Sequence, residues 1–452
     1  MTLNVQSLTR ARPGLTRRLV TALFLFIVTT AVEAQQSSAT DDAADADSDA
    51  LTSTEQGRTP IYDSFQSRRE EIREARRQAF RDTEFHWELR TYDFDRNNSD
   101  GSSSSAWAIG GSAGLQTGLF RNLVSYGATA YTSQPLYAPS DESGTKLLTN
   151  SQTGYTVLGE AFAQFRITDE LGATVGEHGF DTPYLSRNDS RMTPQTFEGA
   201  ALQGAANVGG EADELRYGMG YFDKEKEVNS ENFVNMARVA GASVDRGVYV
   251  AGGTYRTADW SLGAVEYFSP DIINIAYTEL RYTFGVGETQ KVNLYAQYTS
   301  QHSVGEELLT GDSFSANQFG VKAEIGSGPT LLSAAYTATG RGATMENPWS
   351  GYPGYTSVQR QNFDLAGENA FMLRAAAKVK GFPGLSVYAL WVHGSAPQAI
   401  TQNEYDANLQ WSPRSGFMRG FMFRARYAYV TQTNTNRVTE MRLMLFYTPP
   451  SK

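Results

Sequence analysis

The residues of this 452-residue chain best suited to chemistry are its paired cations: Arg374 with Lys378, Arg424 with Arg426, then Arg442, and Arg90 far upstream. On an extended strand residues i and i+2 share a face, so each such set points to one side. A guanidinium is permanently charged and grips a carboxylate bidentately, which makes a row of them a track for passing carboxylates. Arg166, Arg216 and Lys322 fall on the same face, as do Glu88, Glu160, Glu198, Glu324, Glu404, Asp406 and Glu440. Such charges also solvate a water-filled wall and pair with one another. Catalysis has thinner support. Of four His residues, only His178, near Asp181, forms a tempting pair for a hydrolase. The chain has no phosphate-cradling glycine loop, HExxH or nucleophile elbow. It has no Cys, hence no disulfide or thiolate metal site, and no cofactor is expected. A formal net charge of −10 argues against nucleic acid as a partner.

The elements that carry these cations have a period of two. In the segment from Val292, one face reads Val292, Leu294, Ala296, Tyr298 and the other Asn293, Tyr295, Gln297, Thr299. The same split separates Trp107, Ile109, Ala113 and Leu115 from Ser112 and Gln116. It recurs with Tyr405, Ala407, Leu409 and Trp411 against Glu404, Asp406, Asn408 and Gln410, and with Phe421, Phe423, Ala425 and Tyr427 against Arg424 and Arg426. Strands of about ten residues with one apolar face suit a tilted bilayer crossing. Trp107, Trp260, Trp391, Trp411 and Tyr447 fall at segment ends, as an aromatic belt requires. Beyond the N-terminus no apolar run approaches the roughly 18 residues of a membrane helix.

The pattern predicts eighteen strands, near 85–94, 106–116, 122–132, 155–166, 172–180, 195–203, 214–222, 247–255, 260–268, 273–283, 291–300, 315–325, 330–339, 370–379, 385–393, 404–411, 420–431 and 438–447. Tight turns such as 117–121, 168–171, 326–329 and 381–384 alternate with long connections at 133–154, 181–194, 223–246 and 340–369. Short periplasmic turns and long external loops mark an outer-membrane barrel. In hydrocarbon every backbone polar group needs an internal partner, so the strands must close on themselves. The expected fold is all-β, a transmembrane antiparallel β-barrel spanning 84–452. Eighteen strands leave room for water, and transport is the natural function. Parity is ambiguous over 247–268. The apolar face switches between Tyr277 and Leu280, as a β-bulge or a miscount would produce.

Ahead of the barrel, residues 1–34 read as a secretory signal, with Arg10, Arg12, Arg17 and Arg18 before the apolar stretch 19–31. Residues 35–60 read as a disordered acidic spacer and 61–83 as a short charged periplasmic helix with a capping box at Ser67 and Glu70.

Two loops carry a family resemblance. PYLSRNDSRMTPQTFEG (183–199) and NPWSGYPGYTSVQRQNFDLAGENAF (347–371) resemble the third and seventh external loops of OprD-type substrate-specific porins of Gram-negative outer membranes, and LRTYDFDRNN (89–98) resembles their first strand. The two loops follow the fifth and thirteenth expected strands, where those loops belong. The resemblance implies an 18-stranded barrel, monomeric or loosely trimeric. Loops 3 and 7 fold inward and narrow the pore for small carboxylates such as amino acids or aromatic acids, which a basic wall guides. It assigns Arg187, Asn188, Asp189, Ser190 and Arg191 to the loop 3 eyelet, and Tyr352, Tyr355, Thr356 and Ser357 to loop 7, with Pro353 and Gly354 shaping the turn. Thr356 and Ser357 are expected to hydrogen-bond a solute. The implied partners are outer-membrane lipid, small carboxylate solutes and the barrel assembly machinery.

Three features depart from the family. The segment 35–82 is longer than the usual start, and Tyr447 is followed by Thr-Pro-Pro-Ser-Lys rather than ending the chain. Glu346 and Glu368 flank the loop 7 motif instead of forming an acidic pocket within it, which favours anionic or neutral carboxylates over basic amino acids. The alternatives are a barrel hydrolase using His178 and Asp181, and a plugged structural or adhesive barrel.

Overall fold

The computed structural model describes residues 82–120, 122–209, 213–287 and 289–450. The expected signal, the spacer and the charged helix up to residue 81 lie outside the described residues.

Alternating apolar and polar side chains build β1 (Glu84–Asn97), β2 (Ser103–Gln116), β3 (Val124–Tyr137), β4 (Tyr155–Arg166), β5 (Leu171–His178), β6 (Thr196–Asn207) and β7 (Glu214–Lys226). A three-residue β8 (Phe233–Asn235) and the one-turn α1 (Met236–Val239) follow. Then come β9 (Val248–Arg256), β10 (Trp260–Ser269), β11 (Ile273–Val286), β12 (Gln290–His302), β13 (Ser315–Ser327) and β14 (Thr330–Thr339). The last are β15 (Asn369–Lys378), β16 (Leu385–Ala396), β17 (Ile400–Trp411), β18 (Phe421–Gln432) and β19 (Val438–Tyr447).

Every strand pairs antiparallel with its neighbour, and β7 bypasses β8 to pair with β9. The sheet closes where β1 meets β19, from Leu89 opposite Tyr447 to Asn97 opposite Thr439. With β8 set aside as a short addition to β7, eighteen strands form the wall, the expected number. Closure leaves no sheet edge, the condition for crossing hydrocarbon.

Burial is inverted relative to a water-soluble sheet. Leu294, Tyr298, Leu373, Leu409 and Tyr427 are exposed on the outside, while Gln297, Thr299, Glu404, Asp406, Asn408 and Arg426 are buried inside. The polar face is covered because loops fold into the lumen. Loop 3 (179–195) and loop 7 (340–368) are the third and seventh connections on the long-loop rim.

Their packing explains why the apolar face switches between Tyr277 and Leu280. Ile273, Ile275 and Tyr277 face inward and are buried with Tyr184 and Leu185 of loop 3 and Trp349 and Tyr352 of loop 7. The register of β11 is continuous on both sides, so the expected bulge or miscount does not occur. Half of that inward face is apolar because it seats loops, and the half beyond it, with Glu279, is polar. Register shifts fall elsewhere, on β2–β3, β3–β4 and β6–β7.

Candidate functional site: the loop 3 and loop 7 constriction

Loop 3 is shaped by its own carboxylates. Asp181 accepts hydrogen bonds from the Ser186 hydroxyl (3.2 Å), the Arg187 backbone N–H (3.1 Å) and Arg187 Nε (2.9 Å). This folds 181–187 into a closed turn and presents Asn188 to Arg191 at its tip. Asp189 receives both terminal nitrogens of Arg90, at 2.5 and 2.7 Å. Arg90 also donates to the Arg191 carbonyl at 3.1 Å. A residue expected in the basic wall therefore ties loop 3 to β1.

Loop 7 lies against loop 3 through a β-bridge between Leu185 and Ser350. Gly351 permits this approach, since a Cβ there would sit 2.7 Å from the Pro183 carbonyl oxygen and the Tyr184 carbonyl carbon. The far side of loop 7 is clamped to the acidic strand β17. Glu404 accepts the backbone N–H groups of Arg360 (2.7 Å) and Gln361 (2.8 Å), and Asp406 accepts that of Gln359 (3.2 Å). The Gln359 side chain donates to Glu440 (2.9 Å) and accepts from Arg426 Nε (3.1 Å).

Between the loops and the wall lies a polar cavity of about 190 Å³. Loop 3 contributes Asn188, Ser190 and Arg191; loop 7 contributes Asn347, Ser350, Tyr352, Gln359 and Asn362; β19 contributes Arg442. Arg426 and Arg442 are direct cross-strand partners. Glu440 is close to three cations: Arg442 (2.5 Å), Arg96 (3.6 Å) and Arg360 (3.7 Å). With Arg191 and Arg426 beside them, positive charge is in excess. Burial first, then the proximity of Arg442 and Arg426, lowers the Arg191 guanidinium to about 10, as expected where cations crowd.

The structure places the predicted residues differently. Asn188, Ser190, Arg191, Tyr352 and Arg442 meet at the cavity, with Arg426 behind Gln359. Arg424, one step along β18, donates to Asn408 at 2.7 Å. Arg187 and Asp189 instead hold loop 3 in shape. Thr356 and Ser357 require correction. Both are buried, Thr356 sharing a hydrogen bond with Thr337 (2.6 Å) and Ser357 donating to Asn362 (2.9 Å), so their hydroxyls secure loop 7 rather than face a solute. Tyr355 is likewise buried, its hydroxyl donating to Glu279 at 3.3 Å.

Arg374 and Lys378 stand on β15, separated from the β18–β19–β1 cluster by β16 and by the acidic β17. The cations thus form no single unbroken row. Arg374 is buried with its guanidinium 4.4 Å from the Tyr388 ring centre. The hydrolase pairing is also corrected. His178 lies against Glu160 (Nδ1 to Oε1, 3.3 Å), and Asp181 is engaged by Ser186 and Arg187.

Sequence reasoning missed Arg96, Asn347, Ser350, Gln359, Arg360 and Asn362. Arg96 was within reach, because it shares parity with Arg90 on one strand. The loop residues obey no period, so only contact identifies them.

Against known proteins, the model of the outer membrane porin, OprD family, matches residues 78–450. The barrel is similar to the crystal structure of Pseudomonas aeruginosa OccK9 (OpdG), with TM-score 0.74 and 21% identity over 83% of this chain and 100% of that one. It is similar to P. aeruginosa OpdK with vanillate, with TM-score 0.72 and 20% identity over 82% and 100%. Acinetobacter baumannii OccAB3 gives TM-score 0.73 and 16% identity over 82% and 100%. At these identities the likeness is one of fold. No curated protein sequence matches the chain.

Proposed function

The chain belongs to the OprD family of outer membrane porins, and from that premise we propose that it passes small carboxylate-bearing solutes through the constriction between loops 3 and 7. The protein is an outer-membrane channel in contact with lipid and solutes, and it is not an enzyme. The finer reading rests on one observation, the excess of guanidinium groups at the narrow polar cavity, with Arg191 and Arg442 on its surface and Arg426 directly across from Arg442. A carboxylate entering there meets donors already in place, each charge-assisted hydrogen bond contributing roughly 1.5–3 kcal/mol. OpdK, a barrel of the same fold, was solved with vanillate, itself a carboxylate. In this reading the leader 1–34 directs export and the assembly machinery inserts the barrel. Each chain closes its own wall, so each protomer of a monomer or of a loose trimer carries its own pore.

The test is single-channel recording of the purified protein in a planar bilayer, with organic acids and then arginine added to one side. Carboxylate-dependent interruptions of the current are expected, shortened about tenfold or more in Arg442→Gln. A silent membrane despite a heat-modifiable folded barrel refutes conduction and favours a plugged barrel. Interruptions indifferent to Arg442→Gln refute the arginine reading.

A further inference from the structure

Two residues of the cavity hold the backbone in the left-handed region, Asn188 with φ 40° and Ser350 with φ 63°. They come from different loops, and the Leu185–Ser350 bridge joins the loops at that level. Such conformations cost free energy and persist only where the surrounding structure over-determines them, as it does at ligand clamps. Among the described residues none hydrogen-bonds the side-chain amides of Asn188 and Asn347 or the Ser350 hydroxyl. By contrast, Gln359 commits its amide to Glu440 and Arg426, and Asn362 accepts from Ser357. Three side chains are therefore left to meet whatever passes Arg191 and Arg442.

Amides and hydroxyls both donate and accept hydrogen bonds. Sugar hydroxyls do the same, whereas the ring of an aromatic acid does neither in its plane. Among the described residues, the cavity's lining also offers no exposed aromatic ring for stacking. Its one ring, Tyr352, is 5% exposed and packed edge-on to Tyr184 with centroids 6.1 Å apart. An aromatic acid with a bare ring, such as benzoate, would strip water from three polar groups and return nothing to them, the situation in which a polar site rejects a ligand most strongly. At about 190 Å³ the cavity is smaller than the roughly 300 Å³ at which drug-sized pockets begin, so it holds one single-ring solute of either kind and leaves the choice to its polar groups. We infer that the constriction selects polyhydroxylated acids, the sugar acids and aldonic acids, over aromatic acids without ring hydroxyls, with Asn188, Asn347 and Ser350 reading the hydroxyls. This rests on the carboxylate reading above and adds the second half of the solute.

The experiment compares current interruptions by sodium glucuronate, sodium benzoate and the uncharged methyl glucoside in planar bilayers at neutral pH. Glucuronate interruptions should outlast those of benzoate by about tenfold or more. In Asn347→Leu that ratio should fall towards one. Ser350→Gly, which suits a positive φ and so keeps the loop, should lower it as well. Heat-modifiable migration confirms that each variant is folded. Equal interruption by glucuronate and benzoate, or a ratio unmoved in both variants, overturns the inference and leaves the carboxylate reading standing. Methyl glucoside acting as strongly as glucuronate removes the carboxylate reading, and the inference with it.

Discussion

Arg424 and Arg426 are two residues apart on one face of β18, yet they do different work. Arg426 donates to the Gln359 side chain and so secures loop 7, while Arg424 donates to Asn408 of the neighbouring strand. Arg424→Gln is expected to slow carboxylate passage with a quiet open current. Arg426→Gln should also make the open current noisy, because loop 7 loses a charge-assisted bond of roughly 1.5–3 kcal/mol. Noise analysis of single channels separates the two. Asp364, in loop 7, is raised to about 7, first by burial and then by the nearby carboxylates of Glu368 and Glu346, against a favourable bond from Asn362. Its folded value lies above its ordinary 3.8. The stability it gives loop 7 is therefore complete at low pH and is lost as pH rises through about 7. Current noise should grow between about pH 4 and pH 7 and level off above, and Asp364→Asn should abolish that trend. The inward direction of Arg424 and Arg426 was legible from alternation alone. Which of them binds a loop was not, because Gln359 lies in a segment without periodicity.

At the scale of elements, loop 7 is fixed at two ends, by the close approach of Gly351 to loop 3 and by the carboxylates of β17. Glu404→Gln leaves an amide where one carboxylate took two backbone N–H groups, and one of those bonds must fail. We expect a wider, less selective pore in a barrel that still migrates as folded, read as a higher conductance and a smaller difference between organic anions and chloride. The placement of loops 3 and 7 was legible from their motifs and from strand counting. The inward apolar patch Ile273, Ile275 and Tyr277 was not, because alternation reports which face is apolar and cannot tell lipid from a docked loop. The short β8 and α1 gave no signal either, since one turn has no period. Yet Met236 of α1 accepts a hydrogen bond from Trp349 Nε1 at 3.3 Å and ties loop 7 to the β7–β9 connection.

At the scale of the whole molecule, the barrel depends on one seam. Tyr447 pairs with Leu89 across the closure, and its ring lies 5.5 Å from Trp87 and 4.6 Å from Phe421. Each such aromatic pair adds about 0.5–1.5 kcal/mol. Tyr447→Ala should lower the yield of heat-modifiable barrel, whereas removal of residues 449–452 should not, measured by gel migration after outer-membrane isolation. The number of strands was legible because each crossing repeats one simple rule; the seam's chemistry was not, because it joins the first and last strands, which lie far apart in the sequence. The cross-strand pairing of Arg426 with Arg442 has a thermodynamic consequence. Two like charges in direct opposition work against the folded state. An anion resting beside them relieves that repulsion, so whatever binds there also shifts the folding equilibrium towards the native barrel, by about 2.7 kcal/mol at a hundredfold excess over its Kd. On the carboxylate reading proposed above, the cargo of this channel is thus also its stabiliser.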